Sequence, residues 1–160
     1  MSADLALASR LADAAGAAIR PYFRSAFGLE MKADATPVTL ADRAAEAAIR
    51  AILDVERPEE GIIGEEYGST REGASRVWVL DPIDGTRSFV GGRPIFGTLI
   101  ALIEEGVPIL GLIDQPISGE RWIGAAGQGT LFNGAPANTR KCAALAHAVQ
   151  ATTSPAAFSA

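Results

Sequence analysis

The sequence predicts an α+β fold of two layers, with two long N-terminal helices on one face of a mainly antiparallel sheet. Residues up to about 56 repeat their apolar side chains every three or four positions. Residues from about 61 onward instead form short apolar runs separated by turns. Helices first and hairpin-linked strands after is an α+β order.

Leu5, Ala8, Leu11, Ala12, Ala15, Ile19, Tyr22 and Phe23 form one face of the first helix. Its many alanines favour helix and allow close packing, and Pro21 near its end is placed to kink it. A loop with Lys32, Asp34 and Pro37 follows. The second helix is expected from about Leu40 to Glu56, with Ala45, Ala48, Ile49, Ile52 and Leu53 on its buried face. After Pro58, residues 61–64 and 76–80 read as short buried strands. Residues 97–103 and 108–113 read as two longer ones, joined by a turn at Glu104-Glu105-Gly106. Residues 121–124 and 130–132 form a further pair around a Gly-rich turn. No internal repeat or low-complexity tract is present.

A length of 160 residues favours one domain, and 48% hydrophobic with 21% charged residues is ordinary for a chain that buries a core. The net charge of -5 argues against a nucleic-acid surface, which needs clustered Lys and Arg. The single cysteine, Cys142, cannot staple the fold and reads as a small apolar residue in a reducing compartment. At the N-terminus Asp4 precedes any basic residue, and Arg10 and Asp13 interrupt the apolar run. Neither a signal peptide nor a membrane span fits, so a cytoplasmic location without a membrane partner is expected.

The string Val79-Leu80-Asp81-Pro82-Ile83-Asp84-Gly85-Thr86 carries the chemistry. A strand ending in Asp81 and a turn set by Pro82 and Gly85 would project Asp81 and Asp84 from two sides of one turn, with the Ile83 carbonyl between them. Alone, D-P-x-D-G also describes a turn with solvated acids. Gly64-Glu65-Glu66 repeats the strand-then-acid form after Ile62-Ile63. If the two strands are neighbours, Glu65 meets Asp81 and Asp84 at one end of the sheet. Such carboxylates raise one another's pKa unless a cation sits among them. Hard oxygen donors with a carbonyl suit Mg²⁺ completed by a substrate phosphate. A helical turn opening at Thr86 would leave backbone N–H groups facing an anion. Together these features describe a site where a phosphate monoester bridges metal ions and N–H donors.

G-E-E at 64–66, D-P-I-D-G-T at 81–86 and Ser88-Phe89 resemble the inositol monophosphatase family of Mg²⁺-dependent, lithium-sensitive phosphatases. Residues 36–42, T-P-V-T-L-A-D, are similar to that family's upstream segment, and Asn133-Gly134 to its F-x-N-G stretch. Pro94–Thr98, Asp114-Gln115-Pro116 and Glu120-Arg121-Trp122 are most similar to the histidinol-phosphate phosphatase branch.

The resemblance implies the N-terminal part of a layered α/β/α/β/α fold. It implies that Glu65, Asp81, Asp84 and the Ile83 carbonyl bind two or three Mg²⁺ ions. The Gly85 and Thr86 amides would hold the phosphate of a small phosphorylated metabolite, with Glu65, Ile83 and Asp84 around it. The Thr86 hydroxyl and Asp42 would orient or deprotonate the attacking water. The reaction implied is hydrolysis of L-histidinol phosphate. Inositol phosphates, a sugar bisphosphate or a 3'-phosphonucleotide are the other substrates, and a non-catalytic metal- or partner-binding remnant is the reading of another class. Dimers are common in the family, which implies a homodimer.

Thr39-x-x-Asp42 is also a capping box, and both roles can coexist. Lys32 reads as a solvated loop charge, Glu66 as a support for Glu65 or an exposed acid, His147 as structural or surface, and Trp122 as core. Ser154-Pro155 is a helix start with five residues after it. The family continues for roughly a hundred more residues, including a W-D-x-A-like segment whose aspartate completes a second metal site. The expected organisation is a metal- and phosphate-binding domain over 1–148, with 149–160 beginning a C-terminal domain absent from the chain. Apolar surface is expected where that domain would dock.

Overall fold

The computed structural model describes residues 2–25, 29–31 and 37–149. Lys32, Asp34, Thr36 and the Ser154-Pro155 helix start lie outside the described residues, as do the side chains of 29–31 and 37–39.

The first helix, α1 (Ser2–Ile19), tightens into a 3₁₀ turn over Arg20–Tyr22 that takes Pro21 in its first turn. Strands β1 (Leu29–Met31) and β2 (Pro37–Thr39) pair antiparallel, and β2 runs directly into α2 (Leu40–Glu56). The second helix has the bounds that its apolar repeat predicts. There follow β3 (Gly61–Gly64), β4 (Gly68–Thr70), β5 (Arg76–Asp84), the short helix α3 (Thr86–Val90), β6 (Gly97–Glu104) and β7 (Val107–Gln115). The described strands end with β8 (Glu120–Ala125), β9 (Gly129–Phe132) and β10 (Ala135–Ala137). Eight of them form one sheet in the order β10-β9-β8-β7-β6-β5-β3-β4. Every pairing in it is antiparallel except β3 with β5, which is parallel.

That parallel pair matters most for function. Ile63 lies opposite Val79 and Gly64 opposite Leu80, so both strands run toward one end of the sheet with Glu65 and Asp81 next in register. At the other end Arg76, the first residue of β5, is gripped by Asp4, Glu60 and Glu104 at 2.9, 2.8 and 2.7 Å. Glu60 also accepts the Trp78 indole N–H at 2.6 Å. These ties fix β5 against α1 and β6.

β5 is longer than expected. It does not stop at Asp81 but continues to Asp84, with a register shift against β6 between those residues. Pro82 has no N–H to give to the ladder, and a bulge is where a central strand tolerates proline. The Pro82 carbonyl is still satisfied, accepting the buried Thr98 hydroxyl at 2.8 Å.

The core lies between the helices and one sheet face. Leu7, Leu11, Ala15 and Ile19 of α1 and Ala41, Ala45, Ile49 and Leu53 of α2 pack with Trp78, Leu80, Ile100, Leu102, Leu110 and Leu112. Ala48 and Ile52, expected on the buried face of α2, are half-buried at its margin. Two further expectations are corrected. Cys142 is exposed in the segment after β10, not packed as a small apolar residue. Trp122 is half-buried on the sheet face away from α1 and α2, where it stacks on Phe132 at 4.6 Å.

On that second face Val79, Ala101, Gly111, Gly124 and Thr130 form one cross-strand line. The small residues leave a trough of about 920 Å³ beside the bulkier row of Leu99, Ile113 and Trp122, and Asp81 also lines it. Ile113 is 49% exposed there. No described helix is long and apolar enough to cross a membrane.

Candidate active site

Three segments bring acidic residues to one end of the sheet. Glu65 is the first residue after β3, Asp81 and Asp84 lie near the end of β5, and Asp42 is the third residue of α2. Glu65 lies close enough to Asp81 for the two carboxyl groups to share a hydrogen bond when one of them carries a proton. Burial pushes the Asp81 carboxyl up to about 7, and the negative charges of Glu65, Asp84 and Asp42 add to that rise. Asp81 Oδ1 is buried and has no hydrogen-bond partner among the described residues. A buried carboxylate oxygen without a donor, surrounded by other acids, is unfavourable unless a proton or a cation joins it.

Among the described residues no three His, Cys, Asp or Glu side chains close tightly enough to enclose a metal ion as they stand. The acids therefore form a loose group centred on Asp81. Its donor set is all oxygen, and its central atom lacks a partner among the described residues. Both features fit a hard divalent cation.

The phosphate side of the expected site is built by a backbone pivot. Gly85 has φ 91° and ψ 38°, in the left-handed region, and caps α3. A β-carbon there would lie 3.3 Å from the Ile95 carbonyl oxygen and 3.4 Å from Phe96 Cα. Only glycine fits without strain. The Ser88 and Phe89 N–H groups donate to the Gly85 carbonyl at 2.8 and 3.2 Å, while the Thr86 hydroxyl donates to the Ile83 carbonyl at 3.2 Å. The Ile83 side chain is fully buried and anchors the carbonyl that bears the bond. Phe89 packs edge-on against Phe96 at 5.1 Å, and both touch Phe23 at 5.7 Å. This aromatic cluster clamps the short helix to Phe23, just past the 3₁₀ turn that follows α1. Gly85→Ala is expected to cost about 1–2 kcal/mol of strain. A thermal melt should fall by about 2–8 °C, and an unchanged melt would show that the left-handed pivot is dispensable.

Asp42 is 2% exposed, so the catalytic candidate is a buried acid at the start of α2; the Thr39 half of the capping box lies outside the described side chains. His147 is exposed in a 3₁₀ turn over Leu145–His147. Asp114 and Arg121, in the segments similar to one branch, bond to each other at 2.7 Å, and Arg121 reaches Asp13 of α1 at 2.8 Å. Those bonds tie β7 and β8 to α1 and do not enter the acidic group.

One contributor is missing from the sequence reading. Glu46 is fully buried and accepts the Glu66 N–H at 2.7 Å and the Tyr67 N–H at 3.2 Å. Its signal is a charged residue on the same helix face as Ala45 and Ile49, one turn after Asp42.

A model of the inositol monophosphatase family matches residues 1–157. The chain is 53% identical over 156 residues to a chloroplastic bifunctional phosphatase, IMPL2, of Arabidopsis thaliana, covering 96% of this chain and 45% of that protein. It is 44% identical over 129 residues to a histidinol-phosphatase of Mycobacterium tuberculosis, covering 80% of this chain and 50% of that protein. The solved structure of an inositol monophosphatase from Zymomonas mobilis superposes with a TM-score of 0.76 at 57% identity, over 88% of this chain and 54% of that one. The chain thus spans about half the length of the curated relatives it matches. Helices on one face of a mainly antiparallel sheet, a bulged strand carrying D-P-I-D-G-T and a G-E-E turn beside it accord with these likenesses: the chain belongs to the inositol monophosphatase family.

Proposed function

We propose that the protein is a Mg²⁺-dependent phosphomonoesterase that hydrolyses L-histidinol phosphate. The observation that carries the chemistry is the buried Asp81 Oδ1, without a partner among the described residues and next to Glu65, with Asp84 and Asp42 close enough to raise its proton affinity. Membership of a metal-dependent family and the histidinol-phosphatase likeness support the reading.

Glu65, Asp81, Asp84 and the Ile83 carbonyl are the groups that would hold two or three Mg²⁺ ions. Bound there, Mg²⁺ supplies Lewis-acid polarisation of the phosphoryl oxygens and lowers the pKa of water. The Gly85 and Thr86 N–H groups open α3 and donate to a phosphate oxygen. Because the Thr86 hydroxyl gives its proton to the Ile83 carbonyl, its lone pairs are left to accept from a water. Asp42, held in a buried position, takes the second proton-accepting role and keeps that water aligned with phosphorus. Phosphoryl transfer passes through a loose transition state, so placing the water and neutralising charge are the main tasks of these residues.

The test is phosphate release by the intact protein from a panel of monoesters, with Mg²⁺ or with EDTA. Histidinol phosphate should be preferred, with release lost in EDTA. Equal rates in EDTA would remove the metal mechanism. The 57% identity to an inositol monophosphatase favours inositol phosphate as the second reading. Equal or better turnover of that ester would replace the substrate and leave the chemistry. Mg²⁺ binding without any release would point to a non-catalytic role.

A further inference from the structure

We propose that Glu46 is a positioning residue that aims Glu65 at Asp81, an inference that rests on the phosphatase reading above. Glu46 is 0% exposed, yet its partners are all donors. Oε2 accepts the Glu66 N–H at 2.7 Å; Oε1 accepts the Tyr67 N–H at 3.2 Å and Arg50 Nε at 2.7 Å. Arg50, one turn further along α2, also donates through Nη2 to the Gly68 carbonyl. The helix therefore grips both the N–H groups and a carbonyl of the turn that joins β3 to β4.

Glu65 lies inside that grip. Before it, Gly64 presses against the Glu46 carboxylate so closely that a β-carbon would overlap it. After it, the Glu66 N–H is bonded to the same carboxylate. The peptide unit after Glu65 is thus bonded to the side chain against which Gly64, the residue before it, is packed, and the two contacts together limit the direction of the Glu65 Cα–Cβ bond. Asp42 and Glu46 stand four residues apart, on the same side of α2. One rigid helix therefore supplies Asp42 directly and places Glu65 through Glu46, joining two parts of the site.

The chemistry requires a carboxylate. Every described hydrogen-bond partner of Glu46 donates, and a glutamine would present one acceptor oxygen and turn its NH₂ toward a donor. Supporting partners of this kind typically alter metal affinity by about 10–100-fold when replaced.

The test is a calorimetric titration of the intact protein with Mg²⁺ alone, for wild type, Glu46→Gln and Arg50→Gln. Glu46→Gln should raise the Mg²⁺ dissociation constant by about 10–100-fold. Phosphate release at saturating Mg²⁺ should recover far more of the wild-type rate than release at low Mg²⁺. A folded Glu46→Gln protein with wild-type Mg²⁺ affinity would overturn the inference and give Glu46 a purely structural role. If that variant does not fold, Arg50→Gln decides: it removes the partly exposed tie to Glu46 and Gly68, and should weaken Mg²⁺ by about tenfold. Unchanged affinity in folded Arg50→Gln would then be the contradicting result. Wild type that fails to bind Mg²⁺ would instead overturn the phosphatase reading itself, so the two failures are distinguishable.

Discussion

Replacing Asp84 by Asn should lower kcat/KM for phosphate release by at least about 10³-fold while leaving the fold intact. Asp84 closes β5 on an exposed position, and its strand pairing with Gly97 is made by backbone. An amide of equal size preserves that pairing. What disappears is one of the negative oxygens proposed to hold the metal. Metal charge stabilisation is worth several kcal/mol in a transition state, and about 4 kcal/mol corresponds to the stated factor. Exposed substitutions usually move stability by less than about 0.5 kcal/mol. Initial rates of phosphate release, paired with a thermal melt in EDTA, check both halves. Activity within a few-fold of wild type would remove Asp84 from the site.

The second large effect concerns Asp81 and has an unusual sign. Its folded-state pKa is pushed up to about 7 from an ordinary 3.8, chiefly by burial and then by Glu65, Asp84 and Asp42. Between those values the folded chain holds a proton that the unfolded chain has released. Stability without metal should therefore be greatest below about pH 4 with respect to this group, and fall as pH rises toward 7. Each tenfold change in proton affinity corresponds to about 1.4 kcal/mol; discounted for partial solvent access, a loss of about 1–3 kcal/mol is expected. Mg²⁺ at a hundred times its dissociation constant should restore about 2.7 kcal/mol. Asp81→Asn should accordingly stabilise the metal-free protein at pH 8 by about 1–3 kcal/mol, flatten the pH dependence and abolish the gain from Mg²⁺. Urea unfolding midpoints from pH 4.5 to 8, with Mg²⁺ or EDTA, measure all three. A destabilised Asp81→Asn protein that still responds to Mg²⁺ would contradict the assignment.

The parts legible in the sequence are those set by local chemistry. The bounds of α2 follow from its four-residue apolar repeat, and the two-residue turn between β6 and β7 from Glu105-Gly106, both at positive φ. Glu65 and Asp81 are legible because each comes at the end of a short apolar run, whereas Asp42, in the first turn of α2, is legible through the family resemblance. Which strands are neighbours is not. The parallel β3–β5 pairing that sets Glu65 beside Asp81 depends on β4 folding outward to the sheet edge.

Trp122 reads as core because it is large and apolar. Alternate residues of β8 face opposite sides of the sheet, and only one side is packed by α1 and α2. Cys142 sits in an apolar-looking run after β10 that no layer covers among the described residues. Glu46 gives little local sign of its role because the N–H groups that justify burying it lie 20 and 21 residues further along.

The gathering of acids around a divalent cation is tested most directly by diffraction from crystals soaked in Mn²⁺, a stand-in for Mg²⁺ with an anomalous signal. A peak should appear beside Asp81 Oδ1, about 2.0–2.3 Å from oxygens of Asp81 and of Glu65 or Asp84. Density that leaves Asp81 without an ion, with Glu65 turned away from it, would contradict the proposed site.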